Sequence, residues 1–177
     1  MSTDLQLITT TTAYNVNTLS ITDCFTSAYD VYKIVASVPE YIATDTNVVD
    51  FRVQFIDSSG SVITGSEYGT ARLILKAEAS NDDDKIPSST YMYGALLIGN
   101  YDSGGMVGYV YNPNDSSCYT QMVTSGVGGY DTSSNRMRAT RQIGVHKSAE
   151  QITGIHFLSS NGSLNLDVRI SIYGVKK

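Results

Sequence analysis

The chain has 177 residues, of which 41% are hydrophobic and 10% aromatic, enough to build a core without a metal or a disulfide framework. Only 16% are charged and the net charge is −5, so the positive field needed for general binding to nucleic acid or an anionic membrane is missing. The polar share comes from Ser, Thr, 13 Tyr and 15 Gly, a mixture that favours strands and turns over helices.

Period-two alternation runs along almost the whole chain. Residues 5–8 and 16–21 are weak strands, and residues 1–20 read as an N-terminal arm or an edge strand. Tyr32, Ile34 and Ala36 alternate with Val31, Lys33 and Val35 until Pro39 stops the run. Phe51, Val53 and Phe55 alternate with Asp50, Arg52 and Gln54, and the turn chemistry of residues 57–61 ends that strand. Leu73, Leu75, Ala77 and Ala79 predict another strand with its leucines in the core. Asp82, Asp83 and Asp84 then fall in a solvated loop. Residues 93–98 form a more continuous apolar run, as expected of a central strand.

Val107, Tyr109 and Tyr111 follow, closed by the turn residues Asn112, Pro113, Asn114 and Asp115. Met122 and Thr124 lie in a strand ending near Gly126. A Gly/Ser/Asn-rich loop covers 126–139, and residues 142–146 are a weak strand. Ile155 and Phe157, then Leu164, Leu166, Val168, Ile170 and Ile172, flank the pair Asn161-Gly162. That arrangement predicts a closing β-hairpin, because Asn-Gly tolerates the positive φ of a tight turn. About ten strands at this spacing, with almost no helix, imply an all-β sandwich or barrel, read as one domain over 1–177.

The N-terminus, Met1-Ser2-Thr3-Asp4, has neither a basic region nor an apolar run of signal-peptide length. No stretch approaches the roughly 18 apolar residues of a membrane span. The expectation is a soluble protein made in a cytosol, with Cys24 and Cys118 as free thiols.

Little in the chain points to chemistry. The three aspartates are adjacent, whereas a calcium loop needs alternating carboxylates and a turn glycine. His146 and His156 stand on different predicted strands, with no nucleophile motif near either. No catalytic residue, metal ligand or cofactor is therefore expected. Arg136, Arg138, Arg141 and Lys147 form a basic stretch in an acidic chain, either a contact to an acidic partner or a solvated strand edge. Tyr91, Tyr93, Tyr109, Tyr111 and Tyr119 crowd the middle of the chain. They fill a sandwich face in place of Phe, line a subunit interface, or stack on sugars.

Four segments taken together carry a resemblance. They are residues 24–35 (Cys-Phe-Thr-Ser-Ala-Tyr-Asp-Val-Tyr-Lys-Ile-Val), residues 51–61 with Ser66-Glu67-Tyr68, residues 108–113 (Gly-Tyr-Val-Tyr-Asn-Pro), and residues 152–157 through the closing Ile-Tyr-Gly-Val-Lys of 172–176. In this order they resemble β-sandwich domains of tailed-phage virion proteins, as in fibre ends and capsid decoration proteins of marine and cyanobacterial phages. The resemblance spans about residue 20 to the end. It implies a jelly-roll-like antiparallel sandwich, no enzymatic activity, and use as a homo-oligomer, most simply a trimer, on a virion assembled in the host cytoplasm. With no stalk in the sequence, a small decoration, cement or adaptor protein is expected, touching the capsid shell or tail. The runner-up is a fibre-tip module that binds a host surface glycan. A polysaccharide hydrolase is the third and least favoured expectation, since no catalytic constellation is visible.

Overall fold

A computed structural model describes residues 4–41, 49–77, 80–98, 104–128, 138–160 and 166–176. Twelve strands form two antiparallel sheets, and no helix occurs among the described residues. The larger sheet contains β1 (Leu5–Val16), β3 (Val31–Tyr41), β5 (Tyr68–Lys76), β6 (Asp82–Ser89), β8 (Gly104–Tyr111), β9 (Thr120–Gly128), β10 (Arg138–His146) and β12 (Leu166–Val175). Its spatial order is β1-β12-β3-β8-β9-β10-β5-β6. The smaller sheet holds β2 (Thr18–Ile21), β4 (Val49–Asp57), β7 (Met92–Ile98) and β11 (Ile152–Ser159), in the order β2-β11-β4-β7. Each strand of the smaller sheet is reached by a separate crossing from the larger one, a jelly-roll-like winding of the expected all-β antiparallel sandwich.

The core lies between the inner faces. Tyr32, Ile34, Phe51, Val53, Phe55, Phe157, Val168, Ile170 and Ile172 are all essentially inaccessible to water. Full burial of each such side chain contributes roughly 1.5–3 kcal/mol. Aromatic packing shapes the centre: Phe51 stacks on Phe157 at 5.1 Å, and Phe25 meets Tyr32 edge-on at 4.8 Å. A glycine marks a close approach between neighbouring strands of the smaller sheet, at the register shift of β4 against β7. A Cβ on Gly94 of β7 would lie 2.6 Å from the Phe51 carbonyl oxygen. The turn expected after Tyr111 is present, with Asn112 at φ 53°, a conformation that asparagine tolerates better than most residues.

Four sequence expectations are corrected. Strands β11 and β12 do not form a hairpin: β11 pairs with β2 and β4, whereas β12 pairs with β1 and β3. The two strands therefore lie in different sheets. Both strands carry a long apolar stripe, and placing them in opposed sheets lets those stripes face each other across the core. Strand β7, expected to be central, is an edge of the smaller sheet.

Leu73 and Leu75 are exposed, and β5 instead turns Tyr68, Thr70, Arg72 and Ile74 inward. Polar partners fix that choice. The Tyr68 hydroxyl accepts from the Phe55 amide (2.9 Å) and donates to the Ile63 carbonyl (3.1 Å). Thr70 Oγ1 donates to the Ile143 carbonyl (3.2 Å) and accepts from the Tyr93 amide (3.2 Å). A one-residue slip would break every one of these bonds while burying only two leucines. Finally, Asp82, Asp83 and Asp84 belong to strand β6 rather than to a loop. Asp82 is ion-paired with Lys76, and Asp84 lies 3.5 Å from Arg72.

Candidate functional site

The outer face of the eight-stranded sheet is the feature that core formation does not explain. Antiparallel register aligns its residues in rows across neighbouring strands. One row is Tyr173, Lys33, Tyr109, Val123, Ile143 and Ala71. The next is Ser171, Val35, Val107, Ser125, Arg141 and Leu73. The sequence puts apolar residues on both sides of these strands, as in a sheet covered on both faces. Only the inner side is covered by the second sheet. Leu73, Leu75, Val107, Val127 and Ile143 are consequently left between 41% and 62% exposed. Over β5, β6, β9 and β10 the face forms a groove of about 650 Å³ lined by Gly69, Ala71, Ile86, Pro87, Tyr111, Val123, Ile143 and Val145.

The charge on this face runs against that of the chain. Among the described strand residues, alternation and register place Lys33, Lys85, Arg141 and Arg169 here, opposed by Asp83 and Asp167. A face that is apolar at its centre and cationic around it suits a partner that is apolar and acidic. Sequence reading found only Arg141 of these four cations. The other three come from separate strands, and their shared outward parity is the signal that links them.

The expected tyrosine and arginine groups are dispersed. Tyr109 and Tyr111 lie on the outer face, and Tyr119 is half-exposed between β8 and β9. Tyr91 and Tyr93 instead close the sandwich. The Arg72 guanidinium lies 3.9 Å from the Tyr93 ring centroid and Arg52 lies 4.0 Å from that of Tyr91. The Tyr93 hydroxyl donates to Asp84 (2.6 Å), and burial first, then that bond, pushes its pKa up. Arg136 falls outside the described residues. Arg138 and Arg141, an odd number of residues apart on β10, point to opposite faces. Lys147 donates to the Pro87 carbonyl (2.6 Å).

Two histidine sites have the elements of chemistry. Glu67, His146 and Glu150 hold potential ligand atoms within 4.8 Å of one another. His146 Nε2 is already 2.8 Å from Glu150 Oε1, and its ring packs between Phe55 and Tyr68. A metal-bound imidazole normally donates its other N–H to an acceptor, whereas Nδ1 here is buried with no partner. The arrangement is that of a core histidine anchored by a carboxylate. On the smaller sheet, Ser20 Oγ lies 2.7 Å from His156 Nδ1. A Ser–His pair becomes a nucleophile–base system only when a third group orients the base. No carboxylate is bonded to His156 among the described residues.

No family model matches the chain, and no curated protein matches it. Among solved structures, an E230A fructofuranosidase from Schwanniomyces occidentalis, complexed with fructosylnystose, aligns at 9% identity and a TM-score of 0.31. That alignment covers 100% of this chain but only 35% of the enzyme. The marine PL-14 alginate lyase from Aplysia kurodai aligns at 8% identity and a TM-score of 0.33, covering 86% of this chain and 70% of the lyase. The CBM2 module of the Lactobacillus casei BL23 phage J-1 evolved Dit aligns at 13% identity and a TM-score of 0.26, over 85% of this chain and 64% of that one. Likeness this slight carries no argument about function.

Proposed function

We propose that this chain is a structural protein of a phage particle, a small decoration, cement or adaptor protein that acts by adhesion through the outer face of its eight-stranded sheet. The observation that carries the adhesive part is the uncovered apolar face bordered by cations in a net acidic chain. Burying apolar area supplies the attraction, and the cations select an acidic surface on a neighbouring shell or tail protein. The phage part rests on the sequence resemblance, which also carries the expectation of homo-oligomers, threefold in the simplest case. Repeated copies raise the effective concentration of each further contact, so modest individual contacts suffice. No reaction, cofactor, nucleic acid or membrane enters this reading.

The fibre-tip reading, with a host glycan as ligand, fits the face less well. Sugars are held by many directed hydrogen bonds, and this groove is walled chiefly by Ala71, Ile86, Val123, Ile143 and Val145. The test is mass spectrometry of purified particles, with copy number measured against the major capsid protein. Comparable numbers indicate decoration, a small fraction indicates tail, vertex or fibre, and absence from particles overturns the proposal. Ile143→Lys is expected to abolish incorporation while leaving the far-ultraviolet circular dichroism and melting of the isolated chain unchanged. Normal incorporation of that variant would reject the outer face as the adhesive surface.

A further inference from the structure

The two edges of the eight-stranded sheet, β1 and β6, are opposites in the properties that keep an edge unpaired. Strand β6 carries Asp82, Asp83, Asp84 and Lys85 in succession, then Pro87, whose nitrogen has no hydrogen to donate. Its ladder with β5 also slips between Tyr68 and Thr70. Charge, proline and irregularity are the devices that stop edge-to-edge association. Strand β1, Leu5–Val16, contains no charged residue and no proline. Thr9 to Ala13 pair with β12 in unbroken register, so their other edge offers a regular row of backbone donors and acceptors. No strand among the described residues takes up that row.

We infer that β1 pairs antiparallel with β1 of a second copy, about a two-fold axis, and joins two eight-stranded sheets into one. The second copy is the occupant because the alternative, a head-to-tail contact, would have to use the blocked edge β6. Two copies of β1 also meet without like-charge repulsion, since neither carries charge. The faces restrict the register to axes that pass through a residue, and mutual cover of the exposed side chains selects among them. Directly opposed residues of an antiparallel pair share a face, and Leu7, Thr10, Thr12 and Tyr14 all lie on the outer one. An axis through Thr11 sets Thr10 against Thr12 of the other copy. With Ile8 counted as the bulged residue of β1, Leu7 then faces Tyr14. These two side chains, 54% and 71% exposed in the single chain, cover each other in the pair. The contact is independent of the adhesive reading, because it uses the sheet's edge and not its face.

The test is the number of chains in solution and its response to edge changes. Light scattering of the isolated protein is expected to give an even number of chains: two, or six if a threefold contact forms as well. Thr12→Lys places a charge on the exposed side of β1 and is expected to halve the number of chains without changing the melting temperature. In a Cys118→Ser background, Thr11→Cys is expected to cross-link to itself under mild oxidation. Opposed strand residues have Cα atoms about 4.5–5.5 Å apart, inside the range of a disulfide. Ser88→Cys on β6 is expected not to cross-link. One chain or three in solution, a dimer that survives Thr12→Lys, a strand of a different protein occupying β1, or failure of Thr11→Cys to cross-link within a dimer overturns the inference.

Discussion

Arg72 of β5 ties its strand to three others through one side chain. It pairs with Asp50 of β4 at 2.8 Å, reaches Asp84 of β6 at 3.5 Å and lies over the ring of Tyr93 on β7. One side chain thus fastens an open corner of the sandwich. Arg72→Met would leave two carboxylates without their cation, and a loss of about 2–3 kcal/mol is expected, read from urea unfolding. His156 gives a second prediction. Burial holds its imidazole below the ordinary value of 6.5. The unfolded chain therefore takes up this proton before the folded one does. The stabilisation is fully present above pH 6.5 and is lost as the pH falls from there towards the folded value. His156→Gln is expected to flatten that stretch of the stability–pH curve, and an unchanged slope would assign it to other groups. The thiols differ as sharply. Cys24 is buried, and burial pushes its pKa up to about 12, whereas Cys118 is partly exposed. Iodoacetamide is expected to modify Cys118 in the native protein and Cys24 only after unfolding, since the thiolate is the reactive form.

Among elements, β5 separates what a strand is from which way it faces. Its alternation was legible, but its orientation was not, because Leu73 and Leu75 on one side compete with Tyr68 and Ile74 on the other. Leu73→Ser combined with Leu75→Ser is expected to change stability by less than about 1 kcal/mol, as surface changes usually do. Phe157→Ala, which opens a cavity beside Phe51, is expected to cost about 3–5 kcal/mol. Equal losses in chemical denaturation would mean that β5 faces the other way in solution. Gly94→Ala belongs at the same scale. Its Cβ would meet a backbone oxygen of the neighbouring strand, which cannot rotate away as a side chain could.

For the molecule as a whole, topology sets the behaviour. β1 pairs with β12, so residues from the two ends of the described chain lie side by side. β12 is also the partner of β3. Few contacts can form before distant segments meet, and folding on the millisecond-to-second scale is expected in stopped-flow refolding. Faster, microsecond folding would contradict such a non-local architecture. The outer face is likewise a property of the whole. Val107, Val123 and Ile143 look like core residues on their own strands, and only the placement of the second sheet leaves them uncovered.

Period-two alternation and turn chemistry are written into consecutive residues, so the sequence by itself determined the all-β class and most of the strands. Phe51, Phe55, Val168 and Ile170 could be assigned to the core because Arg52, Gln54, Asp167, Arg169 and Ser171 left each of their strands one candidate face. Tertiary structure decided which strands pair, as with β11 and β12, because an apolar stripe is satisfied equally by a neighbour beside it or one opposite it. It also decided that Tyr91 and Tyr93 seal the sandwich while Tyr109 and Tyr111 face outward, and that Lys33, Lys85, Arg141 and Arg169 share a surface. Those residues lie on different strands, and their proximity comes from register across the sheet, which no local stretch of sequence contains.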